Sequence, residues 1–232
     1  MTGLATLLIL ADGRLPAGGH AHSSGLEAAV TAGRVRDLDT LAGFLTGRLA
    51  TGGRTAAAFA AAAAAAAPVT AVVSGATGSV GGPARLDALD DGLDARTPSP
   101  ALRRASRAQG RALLRAGRSI WAMPALGPRE RHQPVALGAV AAAAGLGPAD
   151  AALAAAYGTV TGPASAAVRL LGLDPYAVHA LLARLAPQTD RVAAEAATMA
   201  GWPVDELPAG SAPLPEVDAE HHATWEVRLF AS

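Results

Sequence analysis

Apolar residues recur at helical spacing through nearly the whole chain, and the alternation expected of strands is scarce. The pattern predicts helices near 3–11, 25–33, 38–50, 54–67, 99–119, 134–145, 149–171, 175–186 and 189–201. Val69–Val73 is the single short strand candidate. Helix starts are marked by oxygen-bearing residues ahead of proline at Thr97-Pro98, Ser99-Pro100 and Asp174-Pro175. Ser24-Gly25-Leu26-Glu27 has the capping-box form, in which Ser24 accepts an amide and Glu27 reaches back. Gly33, Gly117 and Gly201 stand where helix ends use glycine.

Two stretches break this pattern. Ser74–Gly92 is rich in glycine and small residues, and reads as a flexible loop near 74–95. Trp202–Pro215 holds four prolines and cannot continue the helix before it. Trp225, Val227, Leu229 and Phe230 follow, too apolar to float free, so 202–232 reads as a docking C-terminal tail. No internal repeat is present. The expectation is an all-α, single-domain bundle of about nine to ten helices over residues 1–232.

Composition then removes several chemistries. All 19 basic residues are arginine, so a lysine-bearing phosphate loop and Schiff-base catalysis are excluded. No cysteine is present, which excludes disulfides, thiolate metal sites and a cysteine nucleophile. With 19 acidic residues the net charge is zero, which disfavours a generally basic nucleic-acid binder. The apolar start lacks a basic flank, and the longest apolar runs, 56–67 and 135–146, are too short to span a bilayer. The expectation is a soluble, cytoplasmic protein with no membrane partner.

The remaining candidates for chemistry are few. His20 and His22, in a glycine-rich turn, could hold a metal with Glu27 or Asp12, as in a metal-dependent enzyme. The spacing alone is weak evidence: histidines in a glycine-rich turn are more often turn and cap residues, and Glu27 has a complete explanation as a capping-box carboxylate. Arg103, Arg104, Arg107, Arg111, Arg115 and Arg118 share about a third of one helix circumference. That edge suits a solvated face, an acidic protein partner, or a nucleic-acid-binding regulator. The adjacent His221 and His222 cannot easily aim both rings at one ion. Arg228, between Val227 and Leu229-Phe230, has the composition of an interface anchor. No ordered set of nucleophile, base and oxyanion donor emerges, and no cofactor is implied.

The opening Leu7-Leu8-Ile9-Leu10-Ala11-Asp12, followed by Arg14-Leu15-Pro16-Ala17-Gly18-Gly19-His20-Ala21-His22-Ser23-Ser24-Gly25-Leu26-Glu27, resembles the start of the urease accessory protein UreF family. Further matches are Ala105-Ser106-Arg107-x-x-Gly110-Arg111, His132-Gln133-Pro134-Val135-Ala136-x-Gly138 and the ending Arg228-Leu229-Phe230-Ala231-Ser232. The resemblance implies an all-α homodimer without catalytic activity. It further implies a complex with UreD (UreH) that recruits the GTPase UreG to apo-urease for GTP-dependent nickel insertion. Opening loop and tail would then carry the partner contacts, with His20 at the loop aromatic's position and Arg228 at the tail arginine's. His22, Ser23, Glu27, Leu229, Phe230, Arg107 and Arg111 complete the candidate partner-binding set.

Overall fold

The computed structural model describes residues 3–67, 82–210, 212–227 and 229–230, and of His20 the backbone alone. Ten α-helices are found among them. They are α1 (Leu4–Ala11), α2 (Leu26–Thr31), α3 (Leu38–Arg48), α4 (Arg54–Ala66), α5 (Gly82–Arg96), α6 (Pro100–Ile120), α7 (Gln133–Ala143), α8 (Pro148–Leu171), α9 (Pro175–Thr198) and α10 (Pro213–Ala223). The strand candidate 69–73 lies outside the described residues.

The bundle is built around α4. Its sequence is nearly all alanine, and Ala57 through Ala64 are buried together with Phe59. A helix that is apolar all round belongs in the centre. Methyl side chains also let neighbours approach closely. A Cβ on Gly138 of α7 would stand 2.3 Å from the Ala60 carbonyl oxygen. The helices α7, α8, α9 and α5 surround α4. The alanine run is therefore the middle of the core, packed backbone to backbone where other bundles use leucine.

Four local expectations are corrected. First, the loop near 74–95 is helical from Gly82 onward: Leu86, Leu89 and Leu93 recur at helical spacing and are buried. Residues 74–81 lie outside the described set. Second, the gap expected between the helices at 38–50 and 54–67 is bridged by a π-helical turn, Leu49–Gly53. The backbone stays right-handed through Gly53, where a Cβ would come 2.9 Å from Thr159 Cγ2. Third, α9 runs unbroken through Pro187. Its buried residues Val178, Leu181, Leu185, Thr189, Val192 and Ala196 form one seam, while Pro187 itself is exposed. The freed carbonyl on that outer face can bond water, and burial along the seam outweighs the loss. Fourth, Gly117 lies inside α6, where a Cβ would meet Val140 Cγ2 at 2.7 Å.

The tail contains a helix that its prolines concealed. Pro213 opens α10, a position where a missing N–H costs nothing. From α10, Glu216 accepts the Ser99 amide at 2.8 Å and Glu220 accepts the Ala101 amide at 2.7 Å. Two carboxylates thus satisfy free amides at the start of α6, the end of a helix that favours negative charge. The Ser99 hydroxyl also donates to Glu220, and this bond together with the Ala101 amide holds the Glu220 carboxyl below its usual range.

Candidate functional site

The opening loop and the tail meet around one buried side chain. Glu27, on the short helix α2, is 6% exposed. Its carboxylate accepts the Leu229 amide at 2.9 Å, the Phe230 amide at 3.1 Å and the His222 ring at 2.9 Å through Nε2. The capping box read at Ser24 does not form. Ser24 takes a left-handed backbone at φ 53°, and Gly25 is the N-cap without a side-chain bond. Ser23, buried, instead accepts the Glu27 amide at 3.3 Å. This frees the Glu27 carboxylate to grip the tail. Gly18 and Gly25, at φ 74° and 85°, supply the turns that bring the loop there.

The tail is fixed further by packing. Phe230 is buried, and the Arg169 guanidinium of α8 lies 4.5 Å from its ring centroid. Trp225 leans on His222 with ring centroids 4.6 Å apart. Arg34, beside α2, pairs with Asp218 of α10. Leu229 faces outward at 75% exposure. The His20 side chain and Arg228 lie outside the described residues; His22, two residues after His20, is half-buried. Glu27 thus brings Ser23, Leu229 and Phe230 of the candidate set into one cluster. As for the metal alternative, Glu27 is occupied by the tail, and no group of three or more ligating side chains occurs among the described residues.

The two internal motifs meet each other rather than solvent. His132 is 2% exposed at the start of α7. Its Nε2 lies 3.0 Å from Asp94 Oδ1 and its Nδ1 lies 3.0 Å from Ser106 Oγ. A carboxylate can only accept, so Nε2 carries the proton and Nδ1 accepts from Ser106. Ser106 Oγ in turn accepts the Gln133 amide at 3.1 Å. Although serine, histidine and aspartate are aligned here, the serine oxygen is held by a helix-start amide and serves as a cap. Burial pushes the His132 imidazole below its ordinary range, only partly offset by Asp94. At Asp94 burial raises the carboxyl, but bonds from Arg107 and His132 outweigh it and hold it low.

Arg107 donates to Asp94 at 2.6 Å and is only 22% exposed. It ties α6 to α5. Arg111, about half exposed, reaches Glu130 at 2.5 Å. Of the two, Arg111 is the more open to a partner. Gly110 is required by contact: a Cβ there would come 2.1 Å from the Arg131 carbonyl oxygen.

Sequence reasoning missed the acidic half of this junction. Arg131, 1% exposed, reaches Asp90 at 2.8 Å and Asp87 at 2.5 Å, and Asp90 also accepts the His132 amide at 2.8 Å. The signal was present: Asp87, Asp90 and Asp94 recur on one helical face. It was obscured because the segment reads as loop.

Comparison with known proteins agrees with these motifs. A family model described as UreF matches residues 35–186. The chain is 49% identical over 236 residues to the urease accessory protein UreF of Mycobacterium sp. strain JLS, covering the whole of both chains. It is 45% identical over 235 residues to that of Mycolicibacterium vanbaalenii, again over both whole chains. Against the Mycobacterium tuberculosis protein of the same name, identity is 43% over 199 residues, covering 84% of this chain and 86% of that one. The motif pairs that meet in the structure, and a likeness extending from end to end, place the chain in the UreF family of urease accessory proteins.

Proposed function

We propose that the chain is a scaffold in urease maturation which, with UreD (UreH), recruits the GTPase UreG to apo-urease and supports GTP-dependent nickel insertion. It acts as a homodimer in the cytoplasm and performs no bond-making of its own. Nickel is cargo in this reading and needs no resident site. The observation that carries it is the Glu27 latch, which presents the opening loop and the tail, the two candidate partner segments, as one surface. Support also comes from exposed apolar residues. Leu4, Leu8 and Ile9 stand on the outer face of α1, and Val217, Val227 and Leu229 near the tail. Clustered apolar exposure marks surfaces that bind other proteins. A chain without lysine cannot supply the GTPase phosphate loop, so nucleotide chemistry falls to a partner. His20, His22 and Arg228 are assigned to partner contact, with Arg111 at a second position.

The test is capture of UreD and UreG by the tagged chain and by Arg228→Ala. The wild type retains both, and Arg228→Ala loses them while keeping its helix content. Equal retention by the variant removes the assignment of Arg228; failure of the wild type to retain either removes the proposal.

A further inference from the structure

A groove of about 670 Å³ runs between α3, the π-helical turn, α6 and the start of α10. Its walls include Phe44, Leu93, Leu102 and Leu214. Most charged groups along it are already committed. Arg34 pairs with Asp218. Arg96 donates to carbonyl oxygens of Gly92, Val204, Leu207 and Pro208 at 2.8–3.0 Å. His132 faces Asp94, and Glu216 holds the Ser99 amide.

Arg48 differs. It lines the groove at the end of α3, yet makes no ion pair or hydrogen bond among the described residues. Its Nε is shielded from solvent without an acceptor, and burial pushes its pKa down to about 10. Its nearest aromatic neighbour, the Phe44 ring, has its centroid 5.9 Å from the guanidinium carbon. An uncompensated, partly desolvated guanidinium weakens a fold unless something else pairs with it. The π-helical turn that follows directly is a further departure from regular structure, of a kind frequent at binding sites. Gly43, Gly47 and Gly52 leave open space along this wall.

We infer that the groove docks an acidic segment of a partner protein, with one Asp or Glu carboxylate paired to Arg48 and apolar flanking residues against Phe44, Leu102 and Leu214. A guanidinium takes a carboxylate through two parallel N–H bonds, which fixes register as well as charge. The apolar walls ask for more than a small acid would bring. The groove is also continuous with the proposed docking surface, because Ser24 and Asp218 line it and border the Glu27 latch. The inference rests on the reading of the chain as a scaffold, and locates one of its contacts.

The test compares the full-length wild type with Arg48→Lys, Arg48→Gln and Arg48→Leu, measuring Kd for UreD, UreG and apo-urease separately, and Tm for each variant. A photo-crosslinking residue at Gln109, inside the groove, identifies what is bound. Expected are a loss of at least about tenfold in affinity for one partner in Arg48→Gln and Arg48→Leu, and a smaller loss in Arg48→Lys. Tm stays equal or rises, since an unpaired cation is removed. The crosslinked peptide contains Asp or Glu. If the wild type binds a partner and the Arg48 variants bind it equally well, the groove assignment is wrong and the scaffold reading stands. If the wild type binds none of the three, both fail.

Discussion

Glu27→Gln isolates the latch between loop and tail with almost no change in volume. In the wild type one carboxylate oxygen accepts the Leu229 amide, while the other accepts the Phe230 amide and the His222 ring. Gln offers one oxygen and one NH₂. In its better orientation the oxygen keeps Phe230 and His222, and the NH₂ opposes the Leu229 amide. One charge-assisted bond is replaced by two donors facing each other, and the other two bonds lose their charge. Bonds to a charged group contribute about 1.5–3 kcal/mol each, and neutral ones about 1 kcal/mol. The tail should therefore detach more easily by at least about 2.5 kcal/mol, which is about 70-fold or more in the opening equilibrium. Packing of Phe230 under Arg169 survives in the closed state, so global unfolding should change less than tail opening. Hydrogen exchange at the Leu229 and Phe230 amides reads the effect directly, with amides of α4 as the internal reference. Protection at the tail unchanged, or lost equally at α4, would refute the latch.

Other expectations concern the α5–α6–α7 junction. Gly110→Ala places a methyl 2.1 Å from the Arg131 carbonyl oxygen, so urea titration should show a loss of about 3 kcal/mol. Arg131→Met leaves Asp90, fully buried, without its cation, and should cost about 3–5 kcal/mol by the same assay. The pH dependence follows from His132. Its folded pKa lies below the unfolded value, so the unfolded chain binds the proton more readily. Stability from this group is complete above about pH 6.5 and falls as pH drops toward the folded value. The urea midpoint should be lower at about pH 5.5 than at about pH 7.5, with a smaller difference in His132→Asn. A difference that does not shrink in that variant would place the titration elsewhere.

Much of the bundle was legible because helix starts are local events. Asp174 and Ser99 do cap the helices they precede, accepting amides of Tyr176 and Ala177 and of Leu102. What failed was decided at a distance. Pro187 breaks a helix by local rules, yet the seam from Val178 to Ala196 packs across it. Pro213 and Pro215 read as irregular tail, yet α10 forms because Glu216 and Glu220 have amides of α6 to meet. Glu27 fits a capping box in sequence, and only the fold reveals that its partners are about 200 residues away in the chain. Ser106, Gly110 and His132 could be recognised as motif residues from the resemblance. Why those residues are needed required Asp94, Asp90 and Arg131, which stand in or beside a segment that composition disguises as loop.

The proposed role, serving urease by assembling other proteins, is read most directly from the nickel that urease acquires. Urease should be produced with UreD and UreG, in the presence and absence of this chain, then purified for nickel content and ureolysis. Nickel-loaded, active urease is expected only when the chain is present, with no ureolysis by the chain alone. Equal nickel content and equal activity in its absence would overturn the proposed role.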